Sequence, residues 1–135
     1  MNPIELHRTN TYSRRSGFTL IELLVVLAII ALLASLAMPR YFQSIDTAKE
    51  TILADNLRLT RETIDKFYGD TGRYPESLDE LVARKYLRAL PVDPITESTA
   101  TWVIVPPDDG DKGNVYTIKS GAPGNNRSGT PFADL

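Results

Sequence analysis

The sequence predicts an α+β chain: a long, kinked N-terminal helix, one half membrane-embedded and the other packed on a head, followed by a small antiparallel β-sheet head. Three observations predict it. From Phe18 to Met38 only Thr19, Glu22 and Ser35 are polar. Helical spacing of apolar residues then continues from Tyr41 to about Tyr68 with Pro39 as its one earlier interruption. Further on, two short β-branched segments, Thr101–Val105 and Val115–Lys119, flank a turn-rich loop from Pro106 to Gly113, the pattern of a hairpin.

The first element is long enough to matter. At about 1.5 Å per residue the run from Phe18 to Met38 reaches roughly 30 Å, the thickness of a hydrocarbon core. The polar segment before it carries Arg8, Arg14 and Arg15 against Glu5, so the positive-inside rule keeps that end cytoplasmic. An ordinary secretory signal is one reading, with Ser35-Leu36-Ala37 as a cleavage site, but the run is long for it and holds a carboxylate. A twin-arginine signal fits Ser13-Arg14-Arg15 and then fails, because Gly17 stands where an apolar residue belongs. The remaining reading is a leader over residues 1–17, cut between Gly17 and Phe18, followed by a retained helix over 18–40. Gly17 offers no side chain to obstruct a protease. Glu22 costs up to a few kcal/mol in lipid and calls for a partner. The amine released at Phe18 by cleavage is one, in the same chain or in a staggered neighbour, where the pair would set axial register.

Pro39 removes one helical hydrogen bond and predicts a kink rather than an end, because no other breaker follows before Gly69 and Gly72. Within 41–68, Phe42, Ile45, Ile52, Leu53, Leu57, Leu59, Ile64 and Phe67 fall largely on one side, and Glu62 and Lys66 form an i,i+4 pair. Ser77 and Glu80 make a capping box for a short helix ending near Arg84–Lys85. Leu90-Pro91-Val92-Asp93-Pro94 is irregular, since each proline restricts its predecessor. The segment from Gly121 to Leu135 reads as a loop or short terminal strand with little core.

Composition excludes much chemistry. Cysteine is absent and the one histidine is His7, so disulfides, thiolate metal sites and histidine relays are ruled out. A net charge of -2 leaves no polybasic footprint, so no nucleic-acid partner is expected. Asp93 and the run Asp108-Asp109-Gly110-Asp111 are the notable acids, and neither has a nucleophile or base beside it. The run lacks the spacing of a calcium loop and reads as a solvated turn. The chain is not expected to be an enzyme.

The string Arg14-Arg15-Ser16-Gly17-Phe18-Thr19-Leu20-Ile21-Glu22-Leu23 resembles the processing site of type IV pilins and type II secretion pseudopilins. Gly-Arg-Tyr-Pro at 72–75, Leu78 and Leu81, Leu90-Pro91-x-Asp93-Pro94 and Tyr116 with Ser120-Gly121 are similar to the major pseudopilin family of type II secretion systems. That resemblance implies a pilin-like fold. It implies cleavage and N-methylation at Phe18 by a prepilin peptidase, with Glu22 and Pro39 serving assembly. Residues 41–135 become a continuing helix plus periplasmic head, and the mature chain waits in the bacterial inner membrane until it polymerises. The implied partners are copies of itself in a helical homopolymer, minor pseudopilins, the inner-membrane assembly platform with its ATPase, and membrane lipid. The filament drives export through an outer-membrane secretin; a type IV pilus or DNA-uptake filament is the alternative, and a membrane-anchored binding module, which gains nothing from Glu22, is a different class. The family's head also holds calcium in an acidic loop after its last strand. Here Ser120 to Thr130 contains Asn125, Asn126 and Arg127 and no carboxylate before Asp134, so no cofactor and no metal are expected.

Overall fold

The computed structural model describes residues 3–4 and 16–135. Most of the expected leader, including Glu5, His7, Arg8, Arg14 and Arg15, lies outside the described residues. The chain forms two compact units, the first ending at Pro39 and the second starting at Arg40.

Helix α1 runs from Leu20 to Thr71, with Pro39 inside it. Pro39 therefore does not end the helix. Its missing N–H would have bonded the Ser35 carbonyl, and Ser35 itself donates its hydroxyl back to the Ala31 carbonyl at 2.8 Å, so the local ladder is weakened at adjacent turns. From Leu20 to Ser44 every residue of α1 is exposed. Among the described residues α1 is the one helix long and apolar enough to cross a membrane. At the other end Gly69 is still helical, and Gly72, at φ 77°, provides the left-handed terminator.

The buried face of α1 is Leu53, Leu57, Thr60, Thr63, Ile64 and Phe67. This corrects the expected stripe at several positions. Ile52 and Leu59 remain 49% and 54% exposed, because they lie about 100–120° round the helix from Leu53. Phe42 shares the buried azimuth but is exposed all the same, as the whole first stretch of α1 is. Thr60 and Thr63 are tolerated in the core because each hydroxyl donates to the carbonyl four residues earlier, at 2.7 Å. Glu62 pairs with Arg58 at 3.0 Å rather than with Lys66.

Helix α2 spans Leu78–Ala83 and is capped as expected, the Glu80 N–H donating to Ser77 Oγ at 3.3 Å. The reciprocal half of the box is displaced by one residue: the Glu80 carboxylate accepts from the Glu76 N–H at 2.7 Å. It also receives the Arg73 guanidinium as a two-pronged fork, at 2.5 and 3.2 Å, with Arg84 at 3.4 Å. The Arg73 hydrogen bond holds the Glu80 carboxyl below its ordinary value, and the backbone bond from Glu76 acts in the same direction. A lowered folded value stabilises the head above the unfolded glutamate range of about 4.3 and loses that contribution as pH falls through the folded value. The Glu80→Gln variant is therefore expected to show a shallower acid limb of stability than the parent between pH 5 and 2 or so. Acid titration of the two proteins checks this; superimposable limbs count against the linkage.

Strand β1, Trp102–Val105, pairs antiparallel with β2, Thr117–Ser120, with Trp102 opposite Ser120 and Val105 opposite Thr117. The hairpin is as expected, but both strands are shorter and β2 starts two residues late. Asn114 and Val115 donate their N–H groups to the Pro75 carbonyl, at 3.2 and 2.9 Å, so the chain is tied to the segment before α2 before it joins β1. Gly113, at φ 100°, fits there because a Cβ would stand 2.1 Å from the Tyr74 carbonyl oxygen. The loop between the strands contains a short 3₁₀ turn at Gly110–Lys112, with Asp108 and Asp109 exposed.

The core joins Leu53, Leu57, Ile64 and Phe67 of α1 to Leu78 and Leu81 of α2, Trp102 and Ile118 of the hairpin, and Val115, Ala122 and Phe132. The last two correct the expectation of a terminal segment with little core: a 3₁₀ turn at Phe132–Asp134 seats the Phe132 ring. Asp93 is fully buried and satisfied, accepting from the Ile95 N–H at 2.9 Å and the Ser120 hydroxyl at 2.6 Å. The buried Trp102 indole donates to the Pro91 carbonyl at 2.8 Å.

Candidate processing and assembly site

Ser16 to Thr19 are non-helical and exposed, and α1 begins at the next residue. Nothing lies within 4 Å of the position a Gly17 Cβ would take, and Phe18 is 92% exposed. Among the described residues nothing crowds the peptide bond between them, which suits a scissile bond. Exposed, non-helical backbone is what a protease cleft accepts.

The start of α1 is organised by two side chains. The Glu22 N–H donates to Thr19 Oγ1 at 3.2 Å, and the Thr19 N–H donates to Glu22 Oε2 at 3.0 Å. This is a reciprocal capping box, with Thr19 outside the helix and Glu22 in its first turn, where a negative charge also suits the helix dipole. Sequence reasoning missed Thr19, although Thr19-x-x-Glu22 has the same spacing that identified Ser77 and Glu80. Gly17 and Phe18 stand just before the helix and Glu22 in its first turn. Pro39 stands apart, about 25 Å further along the helix axis at the usual rise. Glu22 is accordingly more than an isolated carboxylate in an apolar run: it closes the helix end immediately beside the peptide bond whose cleavage would release an amine.

The loop beyond β2, where the family resemblance would put calcium, carries no carboxylate before Asp134. Asn126 Oδ1 already accepts the N–H groups of Ser128 and Thr130 at 3.0 and 2.9 Å. The neighbouring Arg127 brings a positive charge. Among the described residues no three acidic or histidine side chains gather as a cation site. Calcium takes six to eight oxygens, usually with several carboxylates.

A helix with a bare apolar stem, a capped acidic first turn and a small α+β head defines the pilin-like class of membrane-anchored filament subunits. The prokaryotic N-terminal methylation motif matches residues 12–38. Over 97 residues the chain is 33% identical to the type II secretion system core protein G of Pseudomonas aeruginosa, covering 60% of this chain and 68% of that one. The protein of the same name from Aeromonas hydrophila is 31% identical over the same shares. The type IV major pilin protein PilA of Myxococcus xanthus is 34% identical over 68 residues, which is 50% of this chain but 31% of PilA. No solved structure matches. The chain belongs to the type II secretion system core protein G family, and it is a structural subunit of a pseudopilus anchored by one N-terminal apolar helix.

Proposed function

We propose that the chain is made as a precursor, cut between Gly17 and Phe18 by a prepilin peptidase, N-methylated on Phe18, and assembled from the bacterial inner membrane into a periplasmic filament. The observation that carries this is the placement of Glu22, an acidic residue capping an otherwise apolar helix one turn beyond an exposed Gly-Phe bond. Before the cut, residue 18 contributes an amide; afterwards it contributes an ammonium one turn away from the carboxylate. In a stack of staggered copies that ammonium meets Glu22 of the next subunit, and the pair sets the axial step.

The arginine-rich leader keeps the N-terminus cytoplasmic, which puts the head in the periplasm. The partners of this reading are other copies of the chain, minor pseudopilins, the assembly platform with its ATPase, and lipid. The filament works mechanically at an outer-membrane secretin and catalyses nothing. The type IV pilus alternative has less support, since the pilin relatives match over 31% and 43% of their own lengths against 62–69% for the secretion proteins.

Intact mass spectrometry of the membrane fraction tests the processing step. The expected species begins at Phe18 and carries one added methyl group. A chain beginning at Met38 establishes an ordinary signal peptide and ends this reading. With a bulky residue in place of Gly17 the precursor is expected to accumulate uncut.

A further inference from the structure

The segment after β2 is held by side-chain hydrogen bonds at its root, at its tip and along its outer edge. At its root the Ser120 hydroxyl donates to buried Asp93 at 2.6 Å and accepts the Ala122 N–H at 3.1 Å. At its tip Asn126 closes a ring. Its side-chain oxygen takes two backbone N–H groups, its own N–H donates to the Thr130 carbonyl at 2.8 Å, and its carbonyl accepts from Gly129 at 3.0 Å. Gly124 and Gly129, at φ 87° and 84°, make the turns on either side. The outer edge is then tied to α1. The Arg127 N–H donates to the Glu50 carboxylate at 2.8 Å, and the Arg127 guanidinium reaches the Thr47 hydroxyl.

The groove between loop and helix contains Asp46 and Glu50, the carboxylates that face this loop. It also contains Lys49 and Arg127, with the two amides Asn125 and Asn126 completing the set. Two positive side chains face two negative ones, and Glu50 is already engaged. A divalent ion entering there would meet both cations.

We propose that this terminal loop closes without a metal ion. The Asn126 side-chain oxygen gathers two backbone N–H groups at its centre, and Arg127 latches the loop to Glu50 and Thr47 of α1. The chain thus departs from the calcium-binding loop that its family resemblance implies. The roles differ chemically: a cation collects oxygens, whereas the Asn126 side-chain oxygen collects N–H donors. The latch also accounts for Glu50, Thr47 and Arg127, which the core and the processing site leave unused.

The test uses the full mature chain in detergent micelles, with fluorescence of Trp102, the one tryptophan, reporting head unfolding. The thermal midpoint is expected to agree within a degree or two between excess EDTA and millimolar calcium chloride. A bound ion at a hundred times its Kd would instead raise the midpoint by roughly 10 °C or more, and such a rise overturns the proposal. Asn126→Ala, which orphans two N–H groups, is expected to lower the midpoint by about 4 °C or more with and without calcium alike. Arg127→Ala and Glu50→Ala are each expected to lower it less, and the double variant no further than the larger single one. Parental midpoints in the three single variants refute the latch even if calcium has no effect. Should a variant fail to fold, hydrogen exchange on the parent decides: the Ser128 and Thr130 amides are expected to be protected equally in EDTA and calcium, and protection that appears only with calcium refutes the proposal.

Discussion

Glu22→Ala is expected to leave cleavage, membrane insertion and the head intact while reducing filament yield roughly tenfold or more, the factor that corresponds to about 1.4 kcal/mol per subunit contact. The head is a separate compact unit with its own core, so nothing at residue 22 enters its stability. What alanine removes is a carboxylate that costs up to a few kcal/mol in lipid when unpaired, and with it the partner for a neighbouring ammonium. Two roles must be separated, because Glu22 also caps the helix by accepting the Thr19 N–H. Glutamine keeps an acceptor for that N–H but cannot neutralise an amine. If register is the role, Glu22→Gln assembles poorly while its helix start remains intact. If capping is the role, Gln behaves like the parent. Filament recovered by shearing, set against subunit left in membranes, is the readout, and normal filaments from the alanine variant would end the register role.

Phe67→Ala is expected to be the most damaging single truncation in the head, at about 3–5 kcal/mol. The ring is fully buried, packs edge-on against Tyr86 at 5.1 Å, and lies under both the Arg73 and Arg84 guanidiniums at 5.2 and 5.8 Å. One truncation therefore opens a cavity and removes the platform beneath the Arg73–Glu80 fork. For a domain of this size the loss corresponds to a midpoint more than about 12 °C lower. Leu59→Ala is the matched control. Leu59 is 54% exposed, and its truncation is expected to stay within about 0.5 kcal/mol of the parent. Thermal unfolding in micelles compares the two, and similar shifts would mean that the buried face of α1 has been assigned wrongly.

Those two residues also show where the sequence was and was not legible. Phe67 and Leu59 are both apolar and both lie in the broad arc that helical spacing defines, yet they sit on different faces. Periodicity locates an apolar side but fixes its edge only to within a residue or so, and Thr60 and Thr63 complete the true face with hydroxyls hidden by local back-bonding. The Ser77 cap and the hairpin were readable because each rests on chemistry local to a few residues. The late start of β2 was not, because Val115 bonds to Pro75, forty positions earlier, and a strand pattern says nothing about such a tie. Phe132 was missed for a similar reason: one aromatic ring in a Pro- and Gly-rich stretch carries no period. At the N-terminal site, Gly17, Phe18 and Glu22 stood out as departures from an apolar run. Thr19 did not, because a threonine at a helix start attracts notice only when its glutamate is read as a cap and not solely as a charge.

The uncovered stem of α1 has a consequence for how freely the subunit changes place. Its side chains from Leu20 to Ser44 are exposed in the single chain, and in water each large apolar one would forfeit about 1.5–3 kcal/mol relative to burial. Lipid tails and neighbouring stems are alike in polarity, however, so exchanging one for the other changes that contribution very little. On the proposed reading the bilayer and the filament core act as two nearly equivalent solvents for this helix. Partition between them is then decided by the few polar groups at its start and by the motor, and a subunit released from the base of a filament dissolves back into the membrane without a hydrophobic barrier.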